Sequence, residues 1–137
     1  MLIPLISISA LLWAGMILGI SFLESWVKFR APLLTKAVGL DVGRTVFSYF
    51  HKVQALWLAC VLYLCILAQS SWSSWLIVGA LTTILTLQIS WLFPLLKQQV
   101  SVIISGGRSS DSYVHTLYGI GELIKFLLLL GLSINIP

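Results

Sequence analysis

Four runs of mostly apolar residues, each about as long as a bilayer's hydrocarbon core is thick, decide what this chain can fold into. A helix rises about 1.5 Å per residue, so about 20 residues cross a core of about 30 Å. The runs cover residues 3–23, 49–68, 75–96 and 113–135, and they use most of the 137 residues. No room is left for a soluble catalytic domain. The expected fold is all-α, a single integral membrane domain over residues 1–137: four transmembrane helices in an antiparallel bundle.

Composition supports that choice of solvent. Charged residues make up 9% of the chain and hydrophobic ones 59%, against ~25% charged in an ordinary soluble domain. The net charge of +4 is not a nucleic-acid footprint, because the lysines and arginines are not massed on one polar segment. The amino-terminal run lacks a basic leader, is too long for a signal-peptide core and is followed by no small-x-small site. It is expected to be a retained span. Cys60 and Cys65 share one span and point about 140° apart on a helix, so they do not bridge each other and read as small buried hydrophobes.

The connections carry the orientation. Lys28, Arg30, Lys36, Arg44 and Lys52 fall in the first and Lys97 and Arg108 in the third, with none in the second turn or at either end. Basic residues near span ends stay on the cytoplasmic side. Both termini are therefore expected outside the cytoplasm, in a topology that suits a bacterial inner membrane. Trp13, Trp26, Trp72, Trp75 and Trp91 fall mostly near span ends, where an aromatic belt would lie. Residues 69–74 form a short turn, Pro94 falls in the last turn of span three, and residues 97–112, with Gly106, Gly107, Ser109 and Ser110, read as a loop. Within the first connection Leu33, Leu34, Val38, Val42, Val46 and Phe50 recur at three- and four-residue steps, interrupted by Lys36, Asp41 and Arg44. That pattern predicts an amphipathic cytoplasmic helix between spans one and two, which can run on into span two, although Gly39 and Gly43 weaken it.

The fourth span holds the informative polar residues. His115, Tyr118, Glu122 and Lys125 follow one another at three- and four-residue steps, which predicts one helical face. Lys125 then lies about 18 Å along the helix, near the midplane. A central charge costs roughly 2.5–3.5 kcal/mol on insertion scales, so this stripe must face protein or a wet cavity. Threading brings Gln88 and Ser90, His51 and Gln54, and Ser21 and Glu24 to matching depth, with Thr83, Thr86 and Ser90 on one face of span three. The other half of the bundle is nearly all Leu, Ile and Val. A pocket facing the cytoplasm follows, lined by His51, Gln54, Gln88, Tyr118, Glu122 and Lys125, and a continuous pore does not. The same residues also read as interhelical polar glue.

Other chemistry is thinly represented. No serine-nucleophile motif, phosphate loop or aspartate-rich cation site occurs, and no catalytic or metal-ligating set is assigned. His51 and His115 at span ends suggest a haem- or quinone-linked oxidoreductase as an alternative, without supporting ligand spacing. Gly15 and Gly19 form a G-x-x-x-G suited to packing inside the bundle or to homo-oligomers.

Several short segments then carry a resemblance. Trp13-Ala14-Gly15-Met16, Phe29-Arg30, Phe47-Ser48-Tyr49-Phe50-His51, Leu64-Cys65-Ile66-Leu67-Ala68, Leu85-Thr86-Leu87, Trp91-Leu92-Phe93-Pro94 and a fourth span opening at His115 together resemble the transmembrane protein 205 family, small four-span membrane proteins also known as a domain of unknown function. The third connection is much shorter than in eukaryotic members. Ile20-Ser21-Phe22, Lys28-Phe29, Ala31-Pro32 and Leu40-Asp41-Val42-Gly43-Arg44 are similar to short bacterial integral membrane proteins. Four-span haem-biosynthesis oxidases and copper-resistance proteins are more distant, since the first span here has no histidine. The resemblance implies topology and no catalytic residue. The expected function is non-enzymatic: a multi-pass protein in the lipid bilayer that binds, or helps to transport, a small solute or lipid-like ligand, or else a structural subunit of a membrane complex.

Overall fold

A computed structural model describes residues 2–107 and 113–134. Every regular element among them is helical, and four helices are long and apolar enough to cross a membrane. They are α1 (Leu2–Arg30), α2 (Lys36–Leu67), α3 (Trp72–Ile104) and α4 (Tyr113–Ile134). Each packs against two others, α1 against α2 and α4, and α3 against α2 and α4.

Local chemistry sets the ends. Pro32 disfavours helix at Ala31, whose backbone turns extended (ψ 124°), and α1 stops at Arg30. The Thr35 hydroxyl then accepts from the Val38 N–H at 3.2 Å and caps α2. At the other end of α2, Gln69 takes a left-handed φ of 50° while Ser70 N–H reaches Cys65 O at 3.1 Å, a Schellman stop. Ser71 caps α3 two residues later. Gly106, at φ 90°, ends α3 in the same way, with Gly107 N–H on Val102 O at 2.9 Å.

The helices outrun the expected bounds. The amphipathic stretch after Thr35 is continuous with span two, giving one helix of 32 residues. Span three likewise continues to Ile104, so Pro94 sits in mid-helix and residues 97–104 are helix rather than loop. Pro94 cannot donate to Ser90 O, and a widened π-helical turn over Gln88–Leu92 directly precedes it. A second wide turn covers Ile17–Glu24. Asn135, Arg108, Ser109 and Ser110 lie outside the described residues.

Most of each helix faces outward. Between 28% and 33% of each apolar window is buried, so the large exposed residues, such as Leu12, Leu56 and Leu127, form an apolar exterior. The inward stripe of α2 also differs from the expected one. Gly39, Gly43, Phe47, His51 and Gln54 are buried along with Phe50 of the expected stripe, whereas Val38 and Val42 are exposed, as is Leu33 before the helix. Periodicity located a stripe of aliphatics, but it is the neighbouring glycine stripe that meets the protein. A Cβ on Gly39 would meet the Phe29 ring at 2.5 Å, and one on Gly43 would meet Lys28 Nζ at 2.9 Å. Gly15 and Gly19 behave oppositely: added Cβ atoms there meet nothing within 4 Å, so that pair does not pack within the chain.

Candidate functional site

The four helices contribute polar side chains to two clusters in an apolar interior. In the first, Lys125 Nζ lies 2.7 Å from Glu122 Oε1 and donates to Gln54 Oε1 at 2.7 Å. Ser21 Oγ donates to Glu122 Oε2 at 2.6 Å, and Trp13 Nε1 donates to Gln54 Oε1 at 3.1 Å. Lys125 and Gln54 are 0% exposed and Glu122 1%. A lone charge there would be prohibitive. The ion pair with its flanking hydrogen bonds is what makes burial tolerable.

In the second cluster, His51 Nδ1 bonds Phe47 O at 3.0 Å, and Tyr118 OH lies 2.5 Å from His51 Nε2. A carbonyl only accepts, so Nδ1 carries the proton and Nε2 accepts from the tyrosine. Phe93 packs against the imidazole with 4.6 Å between centroids. Gln88 Nε2 donates to Tyr118 O at 3.4 Å, where Gly121 makes room: a Cβ there would stand 2.7 Å from that nitrogen. Gln54 Nε2 and Gln88 Oε1 are buried without a hydrogen-bond partner in the described chain.

Beside these clusters lies a cavity of about 250 Å³. Tyr118 and Glu122 of α4 form one wall, Ser21, Ser25, Lys28 and Phe29 of α1 another, and Gly39, Gly43, Arg44 and Phe47 of α2 a third. The widened turn in α1 positions the serines, and Ser25 Oγ bonds Ile20 O five residues back at 3.2 Å. Lys28 is 9% exposed with Glu24 at 3.5 Å. Arg44 bonds Asp41 through Nε at 2.8 Å and Ser101 through Nη1 at 3.0 Å. The cavity thus offers an ammonium, a guanidinium, hydroxyls and one compensated carboxylate among aromatic and aliphatic walls. It has the means to hold a small polar or amphiphilic molecule.

The six residues singled out from sequence are all buried and in contact across helices. Tyr118 and Glu122 line the cavity, whereas His51, Gln54, Gln88 and Lys125 stand behind that wall. His115 borders the same cavity as Tyr118 and Glu122, but unlike them it is exposed. Both ring nitrogens of His51 are engaged in hydrogen bonds. Among the described residues no group of three or more metal-ligating side chains occurs. Thr83, Thr86 and Ser90 are exposed rather than interior, with Thr83 and Ser90 bonded to carbonyls of their own helix. Trp13 is a fully buried hydrogen-bond donor rather than a belt residue. Sequence reasoning read Lys28 and Arg44 only as orientation signals. Their place in a cavity was signalled by the Gly39-x-x-x-Gly43 spacing opposite Lys28 and Phe29. Comparison of the chain with models of protein families, with curated proteins and with solved structures finds no match.

Proposed function

We propose that this chain is a multi-pass membrane protein, an antiparallel four-helix bundle that holds a small solute or lipid-like ligand in a cavity facing the cytoplasm, without catalysing a reaction on it. The observation that carries the reading is the cavity itself. Polar groups from α1, α2 and α4 converge on it, and the buried charge pair closes its inner wall. On the far side of that pair the core is hydrocarbon, from Ile6, Ala10, Val61, Leu129 and Leu132. A site open at one end fits binding or hand-over of a ligand better than conduction through one subunit.

Membrane insertion draws support from the apolar exterior. In water, so large an exposed apolar surface would drive association. In lipid it is the expected outer face. Cytoplasmic placement of the cavity follows from the basic residues of that connection, of which Lys28 and Arg44 line the cavity. The resemblance to the transmembrane protein 205 family agrees with the four-span topology. The open face at Gly15 and Gly19 supplies a close-approach surface for self-association.

Native mass spectrometry of gently extracted protein tests the reading, reporting oligomer and retained ligand together. A small molecule retained by the natural chain and lost from Glu122→Gln, with that variant still inserted and purifiable, is the expected result. Folded protein that carries no adduct, or loss of folded protein in both Glu122→Gln and Lys125→Met, would make the charge pair a packing device alone.

A further inference from the structure

The cavity and a second, separate groove share the two helices α1 and α2. That groove, of about 420 Å³, is lined by Met16 and Ile20 of α1 and by Val46, Tyr49, Phe50 and Val53 of α2. Its residues alternate along the chain with those of the cavity: Ile20 beside Ser21, and Thr45 and Val46 between Arg44 and Phe47. A polar-headed chamber and an apolar trough therefore flank one helix–helix seam.

The charges are arranged with a direction. Lys28 and Arg44 line the cavity, whereas their acidic partners Glu24 and Asp41 do not. Glu122 also lines it, but its charge is met by Lys125 at 2.7 Å and by the Ser21 hydroxyl. The two cations on the cavity wall are each ion-paired, but both keep spare N–H donors. Lys28 has three N–H groups and one acidic neighbour, at 3.5 Å. Among the described residues Arg44 Nη2 has no hydrogen-bond partner, with Nε and Nη1 taken by Asp41 and Ser101. An oxyanion accepts from both kinds of donor, and a guanidinium and an ammonium together suit a phosphate.

We propose that the occupant of this site is a single anionic lipid, with its phosphate in the cavity against Lys28 and Arg44 and an acyl chain along the groove of Ile20, Val46 and Phe50. The inference rests on the cavity being a ligand site. It adds the chemical class of the ligand and a second contact surface. The bilayer around the chain supplies both halves of such a molecule, and a soluble phosphate would leave the groove unused.

Full-length protein in neutral detergent, titrated with phosphatidic acid, phosphatidylcholine or glycerol 3-phosphate and read by native mass spectrometry, tests it. One phosphatidic acid per chain is expected, bound at least tenfold more tightly than phosphatidylcholine. Lys28→Met and Arg44→Gln should each weaken it about tenfold, the scale of one charge-assisted hydrogen bond, and Lys28→Arg should retain it. Val46→Trp, which fills the groove, should weaken the lipid and leave glycerol 3-phosphate unchanged. Arg44 is partly exposed and its variant can be read alone if Lys28→Met does not fold. Equal affinity for phosphatidylcholine, or glycerol 3-phosphate binding as tightly as the lipid, would overturn the proposal. An adduct retained from cells that neither Lys28→Met nor Arg44→Gln removes would also overturn it while leaving the cavity as a binding site. No adduct under any condition would remove both.

Discussion

Neutralising the buried charge pair one partner at a time, and then together, separates its energetics from its function. Lys125 Nζ has two partners, Glu122 and Gln54, each at 2.7 Å, and its side chain is 0% exposed. Glu122→Gln keeps an oxygen for the Ser21 hydroxyl but strands the ammonium with a neutral amide. Lys125→Met strands the carboxylate and leaves Gln54 with Trp13 as its donor. Breaking a buried pair from one side costs about 3–5 kcal/mol, because the remaining charge is uncompensated. Replacing both by neutral groups removes that penalty. The double variant should therefore lose no more than either single, a coupling of about 3 kcal/mol or more. Unfolding of purified protein in bicelles, measured for all four members of the cycle, gives the coupling directly. Additivity of the two single losses within about 0.5 kcal/mol, the behaviour of independent sites, would refute the claim that these residues compensate each other.

Three further outcomes follow from the packing. Gly121→Ala should displace the Gln88 amide, since its Cβ would meet Nε2 at 2.7 Å, and cost about 0.5–1.5 kcal/mol through the lost bond to Tyr118 O, while Gly119→Ala, with nothing within 4 Å, gives no steric loss; unfolding midpoints compare the two. Tyr118→Phe leaves His51 Nε2 without its hydroxyl donor and should cost about 1–3 kcal/mol in the same assay. Gly15→Leu with Gly19→Leu should leave the unfolding of the monomer unchanged while abolishing any dimer in native mass spectrometry, because those positions face away from the chain's own helices.

The sequence revealed the spans and the polar residues more readily than the fine packing, and for physical reasons. Glu122 and Lys125 were legible because burying charge in an apolar helix has few solutions. The chain adopts one of them, with Gln54 added from α2. Helix ends were less legible. The 33-residue α3 runs through Pro94 because a widened turn absorbs the missing hydrogen bond, and such a turn leaves no hydropathy signal. The stripe of α2 misled for a different reason. When the exterior is as apolar as the core, Val38 and Val42 pointing outward look the same in sequence as valines pointing inward. Gly39 and Gly43 marked the inner face instead. His115 borders the cavity with Tyr118 and Glu122 yet is exposed, because it lies near the helix start.

The central claim is that four helices cross a bilayer with the cavity end in the cytoplasm, and one labelling measurement addresses it most directly. Ser70→Cys in the turn after α2 and Ser105→Cys at the end of α3 are introduced singly into a chain carrying Cys60→Ser and Cys65→Ser. Intact cells are then treated with a membrane-impermeant maleimide. The cysteine at position 70 should react at once and the one at 105 only after permeabilisation. Labelling of both in intact cells, or of neither until the membrane is opened, would put the two turns on one side and contradict the account.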